Sequence, residues 1–173
     1  PAPTPVPTPT LSPYMVALSR APMLAPLEDA SFARRNSLLV YAAPSEAAYR
    51  QREWRVDTDE SVEIYGVTED GWVLVSYEIG KGIKGRMGYI QNTTLRDKDD
   101  VPKLNLISME MTLTKDCNAT DDPVIGKGKI TSMKKGDTVE LLAFLEGEWA
   151  YIETTFEEKT CRLFIPQTAL SED

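Results

Sequence analysis

The stretch VEIYGVTEDGW (residues 62–72) has a near copy further along the chain, VELLAFLEGEW (residues 139–149). In both, ten positions separate a valine from a tryptophan, and a glycine beside an acidic residue comes shortly before the tryptophan. VLV follows the first tryptophan and AYI the second, and after a hairpin come GYI (88–90) and LFI (163–165). Correspondences that recur in the same order indicate an internal repeat.

The repeat predicts β-strands joined by tight turns. Valine, isoleucine and tyrosine are enriched between turn residues, and Asp70-Gly71 is a strong hairpin signal. The copies are offset by 77 positions at Val62 and Val139, and by 75 positions after the hairpin. A two-residue difference in hairpin length explains the change. The predicted fold class is therefore all-β.

Alternation along the strands divides the side chains into two faces. The small and β-branched residues Val73, Val75, Ala150 and Ile152 suit a narrow interior. The opposite face then carries the large residues, and it is either a platform for a ligand or the surface by which the two copies pack together. We group Tyr77 with the large residues of the first copy as a face to test. The candidate ligand-binding residues are Trp72, Leu74, Tyr77, Tyr89, Trp149 and Tyr151.

The order of turn, Gly–Trp, valine, hairpin, Gly–aromatic–Ile and leucine resembles the bacterial SH3-like (SH3b) domain family. The matching residues are Gly71, Trp72, Val75, Gly88, Tyr89, Ile90 and Leu95. VYAAPSEAAY (40–49) is similar to the leading strand of that family. The second copy departs from the pattern, because Leu163 replaces Gly88 and TLTKDCNATDD (112–122) shows no counterpart of the leading proline and tyrosine.

This resemblance implies two small SH3-like β-barrels in tandem, preceded by a Pro-rich irregular segment. We expect a linker and lead-in at 1–37, a first barrel at 38–95, a linker at 96–108 and a second barrel at 109–170. The tract PAPTPVPTPT (1–10) is typical of a semi-rigid spacer, and the lead-in is expected to pack on the first copy. A signal or anchor would lie upstream.

Composition excludes several functions. The net charge of −8 argues against nucleic acid as a main partner. The chain contains no histidine, which removes the usual general base and the commonest metal ligand. No apolar run reaches the length of a transmembrane helix. We therefore expect no cofactor, no metal, no direct membrane insertion and no enzymatic activity.

Other motifs have simpler interpretations. Cys117 and Cys161 form either one disulfide or two buried thiols. Gly80, Gly82 and Gly85 match a dinucleotide-binding pattern, but a strand follows them rather than the helix that such a site needs. The acidic clusters are expected to be solvated loops. These clusters are Asp57, Asp59 and Glu60; Asp97, Asp99 and Asp100; and Asp121 with Asp122.

The sequence thus predicts a secreted or cell-surface bacterial protein that binds peptidoglycan, another wall component or a protein partner. The alternative is a purely structural spacer or assembly module whose aromatic residues pack between the barrels. The exposure of Trp72 and Trp149 distinguishes the two. If one copy binds a ligand, we expect it to be the first, which matches the family better.

Overall fold

The structure, a computed structural model, describes residues 2–7, 10–27, 29–30, 37–57, 62–78, 84–91, 101–124 and 128–172. This part of the chain is mostly β, as the sequence predicts. Its elements are α1 (Pro13–Arg20), β1 (Met23–Leu24), β2 (Asp29–Ala30), β3 (Ser37–Leu39), β4 (Arg55–Asp57), β5 (Val62–Val67), β6 (Trp72–Glu78), β7 (Lys84–Gln91), β8 (Met109–Thr112), β9 (Cys117–Ala119), β10 (Thr131–Met133), β11 (Thr138–Leu145), β12 (Trp149–Phe156), β13 (Lys159–Pro166) and a 3-10 helix (Gln167–Ala169). Within those ranges, no helix is both long and apolar enough to cross a membrane.

Each copy of the repeat contributes one sheet, and the strands of each copy pair antiparallel within it. The first has the strand order β2-β5-β6-β7. In the second, β11, β12 and β13 are consecutive, and β11 also pairs with β8 and, in parallel, with β1. Two short hairpins, β3-β4 and β9-β10, accompany the sheets. The strands described here form open sheets, and no closed barrel is found among them.

The strand registers of the two sheets agree with the offset of the repeat. β5 pairs with β6 across a register shift between Ile64 and Gly66. β11 pairs with β12 across a shift between Leu141 and Ala143, which are 77 positions later. The pairings of β6 with β7 and of β12 with β13 correspond when the offset becomes 75, as the different hairpin lengths require. The two copies therefore share a backbone arrangement as well as a sequence pattern.

Equivalent strands also precede the quoted stretches. Tyr41 bridges Tyr89 of β7, and Thr120 bridges Phe164 of β13, so each leading hairpin is joined to the last strand of its copy. The pairing of β2 with β5 in the first copy corresponds to the pairing of β8 with β11 in the second. The second copy thus has a leading strand, β9, although its sequence lacks the proline and tyrosine of the first copy's leading strand. The paired strands of the first copy begin at β2, before the predicted start of that copy.

The lead-in contains a helix that the sequence analysis did not predict. Ser12 is its N-cap, because the Ser12 hydroxyl accepts a hydrogen bond from the backbone N–H of Met15, and Pro13 opens the first turn. Ala17 of this helix is fully buried in the core. β1 then pairs with Phe144 and Leu145 of β11. This part of the lead-in packs on the second copy, whereas the N–H of Leu27 and the strand β2 bond to β5 of the first.

Two apolar clusters hold the sheets together, and they follow the predicted alternation. The inward cluster includes Val73, Val75, Tyr77, Ala150, Ile152 and Leu163. The second cluster is formed by the opposite faces of both copies, and its buried members include Trp72, Leu74, Met87, Tyr89, Leu142, Leu145, Tyr151 and Phe164. Because residues of both copies contribute to each cluster, the copies bury apolar surface together rather than separately.

Candidate functional site

Most of the predicted aromatic face lies between the two copies. Trp72 is only 7% exposed, and Leu74, Tyr89 and Tyr151 are completely or almost completely buried. Tyr151 stacks on Phe164 with 4.7 Å between the ring centroids. By the exposure criterion given above, these side chains favour packing between the copies over contact with a ligand.

A network of polar side chains lies within this apolar contact. The Tyr151 hydroxyl donates to the Tyr89 hydroxyl at 3.0 Å, and Nη1 of Arg162 donates to the same oxygen at 2.7 Å. Nε of Arg162 also donates to Oε1 of Glu153 at 3.0 Å. Burial raises the pKa of Tyr89, and the positive charge of Arg162 partly opposes that rise. The guanidinium therefore holds the Tyr89 hydroxyl, which also accepts from Tyr151, and ties it to Glu153.

Backbone hydrogen bonds cross between the copies in an equivalent pair. The N–H of Met87 donates to the carbonyl of Asp121 at 2.9 Å. The N–H of Arg162 donates to the carbonyl of Ala42 at 3.1 Å. Arg162 of the second copy corresponds to Met87 of the first, and Asp121 of the second copy corresponds to Ala42 of the first. The contact between the copies therefore has an approximate twofold relationship.

Tyr77 is not on the face to which the sequence analysis assigned it. It lies five positions after Trp72, so its side chain points to the opposite side of β6, and it belongs to the inward cluster. Its hydroxyl, Nε of Arg86 and Oδ2 of Asp121 are all buried without a hydrogen-bond partner among the described residues. Arg86 and Asp121 form an ion pair at 3.8 Å that joins β7 to the second copy. Burial, more than Asp121, raises the pKa of Tyr77.

Trp149 differs from the other candidates because its ring is only half-buried. It forms one wall of a surface pocket of about 330 Å³. Polar groups on the remaining wall come from Lys115, Asp116, Cys117, Asn118, Thr120, Lys129 and Thr168, and Pro166 and Ala169 add apolar surface. An indole surface bordered by amide, hydroxyl and charged groups can stack on a flat or apolar group while hydrogen bonding to its edges. The pocket lies in the second copy, whereas the sequence analysis expected binding in the first.

The equivalent position in the first copy is filled by the chain itself. Tyr41 contacts Trp72 edge-to-face, with 5.4 Å between centroids and 84° between ring planes. The register places Thr120 of the second copy at the position of Tyr41, because each bridges the equivalent residue of the last strand. Thr120 has no ring to cover Trp149. A difference in side-chain size therefore accounts for a pocket in one copy and a filled site in the other.

Both cysteines are present as free thiols in this structure. Burial raises the pKa of the Cys161 thiol to about 12, with a smaller contribution from Asp121. Cys117 lines the Trp149 pocket, and its pKa is raised first by burial and then by Asp116. Both thiols are therefore protonated at neutral pH, and neither has the depressed pKa of a reactive cysteine.

The remaining sequence motifs add no site in the described part of the chain. Gly80 and Gly82 lie outside it, as do the acidic residues at 59–60 and 97–100. The sequence predicts that Asp121 and Asp122 lie in a solvated loop, but both are buried. In the ranges that the structure describes, no three cysteine or acidic residues are grouped so that they could hold a metal ion.

Comparison with known proteins finds similarity to solved structures only. No protein-family model matches the sequence, and no curated protein is detectably similar to it. The solved structure of NlpC2 from Trichomonas vaginalis is similar over 83% of this chain and 50% of that chain, with 16% sequence identity and a TM-score of 0.33. This chain therefore spans about half the length of that structure.

Proposed function

We propose that this chain is a non-catalytic binding unit of a secreted or surface-associated bacterial protein, built from two SH3-like copies. Its ligand is a component of the cell wall or a protein partner, and the binding site is the pocket at Trp149. The SH3-like assignment is supported by the sequence resemblance and by the equivalent strand registers of the copies. The absence of histidine from the sequence supports a binding role over catalysis.

The half-buried ring of Trp149 is the observation on which this proposal rests. The tryptophan at the equivalent position, Trp72, is covered by Tyr41, whereas Trp149 faces a pocket with polar walls. A tryptophan that remains partly exposed in such a pocket presents apolar area to a ligand with little loss of side-chain entropy. Among the pockets lined by residues that the structure describes, this one combines a large candidate ring with polar neighbours.

Binding assays with variants of Trp149 test the proposal. The purified protein is applied to isolated peptidoglycan sacculi and to a phage-displayed library of random peptides. We expect at least one of these to be retained by the wild type and lost with Trp149→Ala. Trp149→Phe, which keeps a ring, should retain part of the binding. Thr112→Ala is the matched control, because Thr112 is exposed on β8 and does not line the pocket.

Two results would contradict this function. One is equal retention by the wild type and by a folded Trp149→Ala variant. The other is no retention of either probe by the wild type. Thermal unfolding followed by circular dichroism establishes that each variant is folded.

The second candidate function is a structural spacer or assembly module. The observation that favours it is the burial of Trp72, Leu74, Tyr89 and Tyr151 between the copies. Such packing makes the copies one stiff unit, which suits a spacer. If this function is correct, Leu74→Ala lowers the stability of the whole unit, and Trp149→Ala has no effect on any binding assay.

A further inference from the structure

In the first copy, the ring of Tyr41 covers Trp72 at the position that corresponds to the Trp149 pocket of the second copy. We propose that the Trp149 pocket receives an aromatic side chain from a peptide segment of a partner protein, seated on Trp149 as Tyr41 is seated on Trp72. This inference rests on the proposed binding function and specifies its ligand.

The equivalence of the two sites is carried by the backbone. Tyr41 bridges Tyr89, which lies two positions before the residue that pairs with Trp72. Thr120 bridges Phe164, which likewise lies two positions before the residue that pairs with Trp149. Bridged residues point to the same side of a sheet. Tyr41 and Trp72 therefore share a face in the first copy, and Thr120 and Trp149 share the same face in the second.

The chemistry around the ring is also repeated. The guanidinium of Arg50 lies 5.8 Å from the centroid of the Tyr41 ring. Lys129 lines the Trp149 pocket, so a ring bound there would also have a cation close to it. The polar side chains of Asp116 and Asn118 on the same wall can bond to the edge of the ring or to the peptide backbone beside it.

The Pro/Thr tract of this chain is a poor candidate for the occupant. PAPTPVPTPT contains no aromatic residue. Its described residues, 2–7 and 10, are exposed. An aromatic side chain carried by another protein fits the pocket better, because the equivalent space in the first copy accepts a tyrosine.

Two short synthetic peptides test the inference directly. The probes are acetyl-Gly-Tyr-Gly-amide and acetyl-Gly-Leu-Gly-amide, titrated while the indole N–H signal of Trp149 is followed by NMR. Trp149→Phe assigns that signal. We expect a saturable shift with the tyrosine peptide, which should bind about three- to tenfold more tightly than the leucine peptide, because ring-on-ring contact adds to simple burial.

Substitutions at Thr120 provide the matched pair of variants. Thr120→Tyr supplies the missing ring from the chain itself, so it should abolish binding of the tyrosine peptide. Thr120→Val removes the hydroxyl that accepts from the N–H of Asp122 but adds no ring, so binding should persist. If Thr120→Tyr does not fold, Trp149→Leu replaces it, and the preference for tyrosine over leucine should then disappear.

The outcomes separate this inference from the proposed function. Equal affinity for the two peptides, no saturable shift with either, or unchanged tyrosine binding by Thr120→Tyr would overturn the inference. If the protein is nevertheless retained on sacculi in a manner that requires Trp149, the binding function stands and its ligand is a wall component. If neither sacculi nor any peptide binds, both fail.

Discussion

The hydroxyl of Tyr151 donates a hydrogen bond to the hydroxyl of Tyr89, with 3.0 Å between the two oxygens. The Tyr89 oxygen also accepts a hydrogen bond from Nη1 of Arg162 at 2.7 Å. The two tyrosines belong to different copies and are almost completely buried. The contact between the copies thus contains a specific polar connection within an apolar surface. Such a connection favours one relative orientation of the copies over a sliding contact.

Removing the Tyr151 hydroxyl should weaken the contact between the copies. Tyr151→Phe keeps the ring on Phe164 but deletes the donor, and Tyr89 retains its bond from Arg162. We expect the free energy of unfolding to fall by about 1 kcal/mol, measured by urea denaturation. Tyr41→Phe is the control, with an expected change below about 0.5 kcal/mol. Equal effects of the two substitutions would contradict a role for the buried bond.

Arg162 should contribute more than the tyrosine hydroxyl does. Its side chain is 17% exposed and bonds to both Tyr89 and Glu153. Arg162→Met leaves those acceptors without their charged donor, so the free energy of unfolding should fall by about 2–3 kcal/mol. A double-mutant cycle with Glu153→Gln should show coupling of about 1 kcal/mol. Strictly additive effects would mean that the ion pair contributes nothing to stability.

The buried carboxyl of Asp121 should make stability depend on pH. Burial raises its pKa from 3.8 to about 6, although Arg86 opposes the rise; Asp122 and Glu53 add to it. Because the folded state holds this proton more tightly than the unfolded state, stability from this group is present below about pH 4 and declines as pH rises through about 6.

Comparison of the wild type with Asp121→Asn isolates that contribution. The asparagine cannot ionise, so the stability of the wild type relative to the variant should fall between pH 4 and pH 7, by about 1–3 kcal/mol. Urea unfolding at several pH values gives this difference. Glu148→Gln, which removes a carboxylate from an exposed turn, is the control for the change in net charge. A difference that is constant with pH would show that Asp121 titrates normally.

The sequence was sufficient to predict the repeated strands and their faces. The Val-to-Trp spacing fixes the register of β5 with β6 and of β11 with β12, and period-two alternation separates Val73 and Val75 from Trp72 and Leu74. The same alternation places Tyr77 inward, a consequence that the grouping of aromatic residues overlooked. Ser12 followed by Pro13 is a helix-start signal that could have revealed α1.

Other features have no signal in a single sequence. β9 is three residues long and includes Cys117 and Asn118, so it shows no periodicity. The Trp149 pocket depends on Thr120 occupying the place of Tyr41, and that equivalence follows only from the bridges to the last strand. Pairings between distant segments are determined by packing of the whole unit and not by local preference.

Gly88 of the first copy is replaced by a leucine in the second. A Cβ placed on Gly88 would lie 2.3 Å from Cγ1 of Val40, much closer than real contacts allow. In the second copy, Leu163 corresponds to Gly88 and Ala119 corresponds to Val40. The larger side chain of the pair is therefore on the last strand in the second copy and on the leading strand in the first. The replacement of Gly88 by Leu163 is therefore compensated by a smaller partner, and both Leu163 and Ala119 are fully buried.

This exchange of sizes predicts coupling between Gly88 and Val40. Gly88→Ala alone should lower the free energy of unfolding by about 1–3 kcal/mol, because the added methyl overlaps Val40. Val40→Ala alone should cost about 2 kcal/mol through the cavity that it leaves. The double variant should be more stable than the sum of the two single effects predicts by at least about 1 kcal/mol, since each change relieves the other.

Val75→Ala is the matched control. Val75 pairs with Gly88 across the strands, but its atoms are not among those nearest the added Cβ. The combination of Val75→Ala with Gly88→Ala should therefore be nearly additive. Additive effects for Val40 as well would contradict the compensation.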